Sequence, residues 1–594
     1  MHFPDQKGVE ARNYSNMDGH AAYFSMEIAI QPDMPTYSGG LGVLAGDTLR
    51  AAADLGIPLA AVTLAHRKGY FRQSLDAQGQ QTETSQPWDP SKLPLIEHRV
   101  AVTIEGRPVF IQAWRYDMEG VTGHTIPIYL LDTDLEQNDP RDRALTDHLY
   151  GGDNDYRLAQ EIVLGMGGAR MLDALAYDVN VYHMNEGHAA LLTVAVLEKQ
   201  LNGGAFSSAT ERDLEAVKQR CIFTTHTPVP AGHDRFSMEQ AYRILGPEYV
   251  HLLERIGGSH EGMLNMTYIA LNFSRFVNGV AMMHMKVSRE MFPGVQIDGI
   301  TNGVHAGTWT GPEMKVVFDQ YFPRWKEDNI HLRYAIDIPA GEIAAAHLAQ
   351  KRTLFAVVKE RTGVELDETV FTIGFARRVA TYKRADLLFS DPERLAKMAD
   401  EFGGLQILYG GKAHPHDMPG KALIKRVFEA AAKLTSAKMH IVYLENYEWS
   451  LGQLLTSGVD VWLNNPERPL EASGTSGMKA ALNGVPSLSI LDGWWIEGCT
   501  EGVTGWAIED GASSDEEAHN LYNKLEKSVL PLYYRNRAEW NALMGTTIAH
   551  NGSFFNTQRM LQQYLVNAYY PEKEQHFSAD ELEKAFARQL NDLK

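Results

Sequence analysis

Glu471-Ala-Ser-Gly-Thr-Ser-Gly-Met-Lys479 runs on into Ala480-Ala-Leu-Asn-Gly484, Val485-Pro486 and Ser487-Leu-Ser-Ile-Leu-Asp-Gly-Trp-Trp495. The Gly/Ser/Thr-rich turn ahead of Met478 reads as a loop feeding a helix that begins near Thr475 or Ser476 and is ended by Gly484 and Pro486. Residues 488–491 then read as a strand. Loop, helix and strand in this order make one unit of an open α/β sheet, whose ligands gather at the carboxyl ends of the strands. The helix terminus carries N–H groups without intrahelical partners and offers them to an anion. Lys479 lies about one turn inside, and helical side chains lean back toward the N-terminus, so its amine is expected over that site. The positive helix end disfavours an ammonium there, which helps a lysine act as a neutral amine toward an aldehyde.

Outward from this stretch the same alternation continues. Strands are predicted at 370–375, 406–409, 440–444 and 459–463, separated by helix-length segments. In the first half, a strand at 21–26, the turn Ser38-Gly-Gly-Leu-Gly42, a helix at 44–55 and a strand at 58–64 make a βαβ unit with a glycine-rich first turn. Further strands are expected at 109–114, 126–131, 179–183 and 221–225, and helices at 156–176 and 187–201. The pattern predicts an α/β protein of two doubly wound, Rossmann-like lobes facing a central cleft. Residues 1–312 form the first lobe, 313–367 a helical connection, 368–545 the second lobe, and 546–594 C-terminal helices.

At 594 residues the chain is too long for a single core. Its formal charge of −20 repels nucleic acid and anionic membrane surfaces, so neither is an expected partner. Cys221 and Cys499 provide neither a disulfide framework nor a metal motif, which fits a reducing cytoplasm and no metal. Met1-His-Phe-Pro-Asp-Gln-Lys7 has no apolar signal region, and no uncharged apolar run is long enough to span a bilayer.

A phosphate site in so acidic a chain must gather positive charge locally. Arg377-Arg-Val-Ala-Thr-Tyr-Lys-Arg384, directly after a predicted strand, does so with four cations in eight residues; a solvated basic turn is the alternative. His226, in Thr224-Thr-His-Thr-Pro228, follows another strand end, where a histidine is either packed or functional. Thr301-Asn-Gly-Val304 leads to Trp309, and its Asn-Gly can equally be a turn.

Taken together these segments resemble the α-glucan phosphorylases, the glycogen, starch and maltodextrin enzymes, in their compact bacterial and archaeal form. The lysine of the central run carries pyridoxal 5′-phosphate in that family, so Lys479 is identified as the cofactor lysine, with Arg377, Thr475, Ser476, Trp309 and Tyr23 also assigned to the cofactor. By position Arg378 and Lys383 meet the substrate phosphate, and the His226 backbone faces the anomeric carbon. Gly39, Gly40, Asn302, Tyr382, Glu471, Ser473 and Gly474 line the sugar and phosphate subsites. Shorter matches occur at Asn185-Glu-Gly-His188, Val277-Asn-Gly-Val-Ala281, Gly410-Gly-Lys-Ala413 and Leu444-Glu-Asn-Tyr447. Ala380-Thr381 and Ser476-Gly477 depart from the family's usual residues, while the basic positions and the lysine do not.

The resemblance implies phosphorolysis of terminal α-1,4 bonds of a glucan or maltooligosaccharide by inorganic phosphate, releasing α-glucose 1-phosphate with retention. It also implies the two-lobed glycosyltransferase fold, C-terminal helices returning to the first lobe, a cytoplasmic homodimer and no effector control through an N-terminal extension. The alternative is a nucleotide-sugar-dependent glucan synthase of the same fold, which shares the Gly-Gly-Leu-Gly turn but has no use for Lys479.

Overall fold

In the computed structural model, which describes residues 19–571, the chain is a mixed α/β protein built on two large sheets. His20–Ser25 lies inside the nine-stranded sheet, parallel to Leu59–Leu64 on one side and to Val179–Asn185 on the other. Every residue of Leu59–Leu64 is buried, as is His20–Ser25 from Ala21 onward. Both faces of such strands are covered, which is why they are continuous apolar runs. The helix Gly40–Leu55 joins these two strands and completes the expected βαβ unit, starting at the glycine turn itself rather than at residue 44.

Cys221–Thr224, Phe276–Gly279 and Asp298–Gly299 extend the parallel part. The opposite edge is antiparallel: Arg107–Glu119 pairs with Thr125–Asp132 and with Val100–Ile104. This corrects a purely doubly wound reading of the first half. Glu105 and Gly106 both have positive φ, 49° and 74°, and form a two-residue hairpin turn. A link that short can only join antiparallel strands.

The second sheet has six strands, all parallel, in the spatial order Met439–Leu444, Leu405–Gly410, Thr372–Ala376, Val461–Asn464, Ser487–Ile490 and Gly505–Ile508. Each sheet has a point where the chain, after building outward in one direction, returns to build in the other. In the first sheet it lies between His20–Ser25 and Val179–Asn185, and in the second between Thr372–Ala376 and Val461–Asn464. The loops leaving neighbouring strands diverge there and open a crevice, the usual ligand position of such sheets.

The 23-residue helix Ala340–Thr362 packs against Trp449–Gly458 and Arg537–Thr547. Near the end of the described chain, Thr557–Tyr564 packs on Gly40–Leu55, burying Met560, Leu561 and Tyr564 with Leu49 and Ala52. The Tyr564 hydroxyl lies 3.0 Å from Thr224 Oγ1 and accepts from Asn278 Nδ2 at 2.9 Å, so this helix locks two neighbouring strand ends of the first sheet. The expected helix at 580–593 lies outside the described residues. Among the described residues, no helix is long and apolar enough to cross a membrane.

Candidate active site

The second sheet carries candidate site residues just after the two strands beside its reversal point. Thr372–Ala376 leads into Arg377, and Val461–Asn464 leads into the loop that carries Glu471 to Lys479. The helix Ser476–Ala481 starts where expected, with Thr475 before it and Lys479 in its last turn. Gly474 has φ 73°, which a side chain would strain, and a Cβ on Gly477 would stand 2.7 Å from the Trp494 ring. Gly474 therefore lets the loop turn, and Gly477 lets it pack tightly against Trp494.

Lys479 is 6% exposed. Its amine lies 3.8 Å from the centre of the Trp309 ring, and burial lowers its pKa to about 8 against the opposing pull of Asp47. Trp309 donates its indole N–H to Asp47 Oδ2 at 2.7 Å, and Asp47 belongs to the helix Gly40–Leu55 of the first βαβ unit. Asn483 fixes the same corner, donating to the carbonyls of Lys479 at 3.0 Å and Trp309 at 2.9 Å. Both sheets thus contribute to the surroundings of one amine.

Glu471 sits between the cations of the basic run. Lys383 Nζ lies 2.8 and 2.7 Å from its two carboxylate oxygens, and Arg377 donates to Oε2. Burial alone would raise the Glu471 pKa, but Arg377 and Lys383 outweigh it and hold the group at about 2. Among the described residues, two buried donors of Arg377, Nε and Nη1, find no partner, and the buried Ser473 Oγ finds none either. Tyr382 places its ring 4.5 Å from the Lys383 amine. Arg378 is exposed, and among the described residues it makes no ion pair. Arg384 corrects the picture of four equivalent cations: it pairs with Glu517 and donates to the carbonyls of Asn465 and Pro466, clamping the loop after Val461–Asn464.

From the first sheet, His226 follows Cys221–Thr224 and is held by groups at the reversal point. Its Nε2 lies 2.7 Å from Asn185 Oδ1, and its backbone N–H donates to Glu186 Oε2 at 2.8 Å. Burial lowers its pKa to about 4, so the ring is neutral near pH 7. Glu186 adopts φ 76°, unusual for a side-chain-bearing residue, and also accepts from Thr227 Oγ1 at 2.9 Å. Glu27 does the corresponding work for the glycine turn, accepting from the N–H groups of Ser38 at 2.5 Å and Gly39 at 3.2 Å. A Cβ on Gly39 or Gly40 would meet nothing within 4 Å, so these glycines border open space. Asn302 is 4% exposed with Oδ1 unpaired, and its carbonyl accepts from Arg559 at 2.9 Å.

Tyr23 is not brought to this group. It is a core residue, 2% exposed, with its ring edge-on to His183 at 4.9 Å, because its strand is covered on both faces. The sequence reading missed Asp47, Glu27, Glu186 and Asp492. Asp492 accepts the N–H groups of Glu471 and Gly493, both at 2.9 Å, and burial raises its pKa to about 6. The one signal for all four is an acidic residue at a buried position of an apolar element or at a strand end.

The family model described as carbohydrate phosphorylase matches residues 233–589. The chain belongs to the carbohydrate phosphorylase family. Maltodextrin phosphorylase of Thermococcus litoralis is 41% identical, the alignment covering 94% of this chain and 71% of that protein. Glycogen phosphorylase of Mycobacterium tuberculosis is 37% identical over 93% of this chain and 70% of its own length. Glycogen phosphorylase of Aquifex aeolicus is 34% identical over 92% and 85%. A phosphorylase needs a place for phosphate, and this one gathers Arg377, Arg378 and Lys383 within one loop of a chain with formal charge −20.

Proposed function

We infer that this phosphorylase is an α-1,4-glucan phosphorylase, cleaving the terminal bond of a maltodextrin or glycogen chain with inorganic phosphate to give α-D-glucose 1-phosphate with retention. The observation that carries the reading is the Arg377–Glu471–Lys383 cluster: two buried cations share one carboxylate, and two buried donors of Arg377 have no partner among the described residues. Such a cluster is under-neutralised and suits added anions.

On this reading the two sheets are the cores of two lobes facing across the site, with residues 1–312 and 368–545 as lobes, 313–367 linking them and 546–594 returning to the first. The residues present fit pyridoxal 5′-phosphate. Lys479 offers a buried amine with a lowered pKa to the aldehyde, Trp309 covers it, and Arg377 with Thr475 and Ser476 receives the phosphate. When bound, the cofactor supplies a second phosphate beside the substrate phosphate, whose pKa near about 6 suits proton exchange at neutral pH. Arg378 and Lys383 hold the substrate phosphate. As phosphate draws Arg377 and Lys383 toward itself, the Glu471 oxygens become free to accept from sugar hydroxyls. The neutral His226 ring, pinned to Asn185, keeps its backbone carbonyl directed at the anomeric carbon, while Asn302, Gly39, Gly40, Tyr382, Ser473 and Gly474 border the sugar and phosphate. The protein acts as a cytoplasmic homodimer.

Incubation with a maltooligosaccharide ladder and with glycogen tests the reading. Release of α-glucose 1-phosphate that depends on inorganic phosphate is expected. Chain extension from a nucleotide sugar with no phosphate-dependent release would replace it with the synthase reading.

A further inference from the structure

Residues 72–84 form a hairpin, Arg72–Leu75 paired with Gln81–Thr84, which leaves the first sheet and lies against the ends of two strands of the second. Its contacts are made by two buried glutamines, Gln73 at 0% and Gln81 at 4% exposure. Gln81 treats Ala413 as a strand would: its Nε2 donates to the Ala413 carbonyl at 2.8 Å, and its Oε1 accepts the Ala413 N–H at 3.0 Å. Gln73 and Asn446 exchange bonds in the same reciprocal manner, Gln73 N–H to Asn446 Oδ1 at 3.2 Å and Asn446 N–H to Gln73 Oε1 at 2.8 Å. Gln73 Nε2 also donates to the Gly411 carbonyl at 2.9 Å and to Gln81 Oε1 at 2.8 Å. Glu83 closes the outer side, accepting from Gln81 and pairing with Lys421 at 2.6 Å.

The segment these glutamines hold is itself paired with the basic run. Arg377 N–H donates to the Gly410 carbonyl at 3.1 Å, Val379 N–H donates to the Lys412 carbonyl at 2.9 Å, and Val379 bridges Ala413 as in a parallel ladder. Gly411 permits the approach, since a Cβ there would stand 2.1 Å from the Arg377 carbonyl oxygen. The order across this layer is hairpin glutamines, 410–413 and 377–379. The middle segment is bonded from both sides, the carbonyls of Gly410 and Lys412 by the basic run and the Gly411 carbonyl and both Ala413 groups by the hairpin glutamines, which come from the other half of the chain. Buried amide side chains with every bond made are costly to rearrange and specify one geometry.

We propose that Gln73 and Gln81 are positioning residues for the phosphate site, through which the first half of the chain sets the backbone of Arg377–Lys383 by way of Gly410–Ala413. The proposal rests on reading Arg378 and Lys383 as the residues that hold phosphate. Placing a guanidinium and an amine on a phosphate requires their backbone to be fixed within a fraction of an ångström, and a loop after a strand does not fix itself. The hairpin supplies that constraint without touching substrate.

Gln81→Met keeps the shape and removes both bonds to Ala413. In the cofactor-loaded enzyme it should raise the KM for phosphate at least about fivefold while the KM for maltooligosaccharide changes less than about twofold. Hydrogen–deuterium exchange of the same variant should quicken at 377–383 as well as at 72–84. Glu83→Ala, which loosens the hairpin from its exposed side, should give a smaller shift of the same kind and serves if Gln81→Met does not fold. An unchanged phosphate KM, an equal rise for both substrates, or faster exchange confined to 72–84 would overturn the proposal. Absence of phosphorolysis in the wild type would instead remove the functional reading on which it rests.

Discussion

The Lys479 amine stands 3.8 Å from the centre of the Trp309 indole, and that indole donates its own N–H to Asp47 at 2.7 Å. An aromatic face stabilises an ammonium, as does the Asp47 carboxylate, yet burial outweighs both and leaves the lysine pKa at about 8. Near pH 7 about one amine in ten is then neutral, against about one in several thousand for an ordinary lysine. The Trp309 face and Asp47 make the buried ammonium tolerable, and burial leaves the amine neutral often enough to attack an aldehyde.

Cofactor attachment follows from this. Borohydride reduction of the loaded enzyme and peptide mass spectrometry should find the pyridoxyl group on the peptide holding Met478 and Lys479. Uptake of pyridoxal 5′-phosphate by the unloaded protein should speed up as pH rises to about 8 and level off above it, because the neutral amine is the reactive form. A rate still climbing toward pH 10, or a label on another peptide, would rule Lys479 out.

Arg378 and Lys383 should separate under substitution. Changing either to Ala should lower phosphorolysis at least about tenfold, given about 1.5–3 kcal/mol for a charge-assisted bond. Their stabilities should differ, because Arg378 is exposed with no ion pair among the described residues, whereas the Lys383 side chain is 8% exposed against Glu471. Arg378→Ala should stay within about 0.5 kcal/mol of wild type and Lys383→Ala should lose about 3 kcal/mol in denaturant unfolding. Equal stabilities would mean that the Glu471 pair contributes nothing to the fold.

Glu471→Gln leaves Arg377 and Lys383 without their carboxylate. The variant should melt lower than wild type in phosphate-free buffer, and added phosphate should raise its Tm more than that of wild type, since the anion no longer competes with Glu471. Because the folded pKa of about 2 lies below the ordinary 4.5, the stabilisation from Glu471 is fully present above about 4.5 and is lost as pH falls toward 2. The gap between the two proteins should therefore narrow below pH 4.5. A constant gap would show that the charge is not its source.

The sequence made the cofactor loop legible because its signals are local: glycines before a helix, a lysine one turn inside, Gly484 and Pro486 after it. The buried parallel strands were legible for a similar reason, as unbroken apolar runs such as Leu59–Leu64. What escaped depends on partners far away in sequence. Arg384 looks like its neighbours in the basic run until Glu517 is seen beside it. Asp47 is one acid in an Ala/Leu-rich helix, and only the fold brings Trp309 and Lys479 to it. The antiparallel edge at Val100–Glu119 depends on the two positive φ angles of Glu105 and Gly106, a weak signal next to the alternation that suggested parallel order. Tyr23 lies in the core beside His183, and in sequence an aromatic in a buried strand carries no mark of which face it meets.

Asp47 supplies the sharpest test of how the two halves cooperate. Its carboxylate is 1% exposed and raises the Lys479 pKa from across the Trp309 ring. Asp47→Asn keeps an oxygen to accept the indole N–H but removes the charge, so burial of Lys479 is opposed by the Trp309 face alone and its pKa should fall below about 8. The pH midpoint for cofactor uptake should then move down, and uptake at pH 7 should become faster although a carboxylate has been deleted. Asp47→Leu removes the acceptor as well, leaves a buried indole N–H unpaired and should cost about 1–3 kcal/mol of stability on top of the same shift. An unchanged midpoint in Asp47→Asn would mean that the carboxylate acts on Lys479 only by holding Trp309, and an upward one would contradict a charge that stabilises the ammonium.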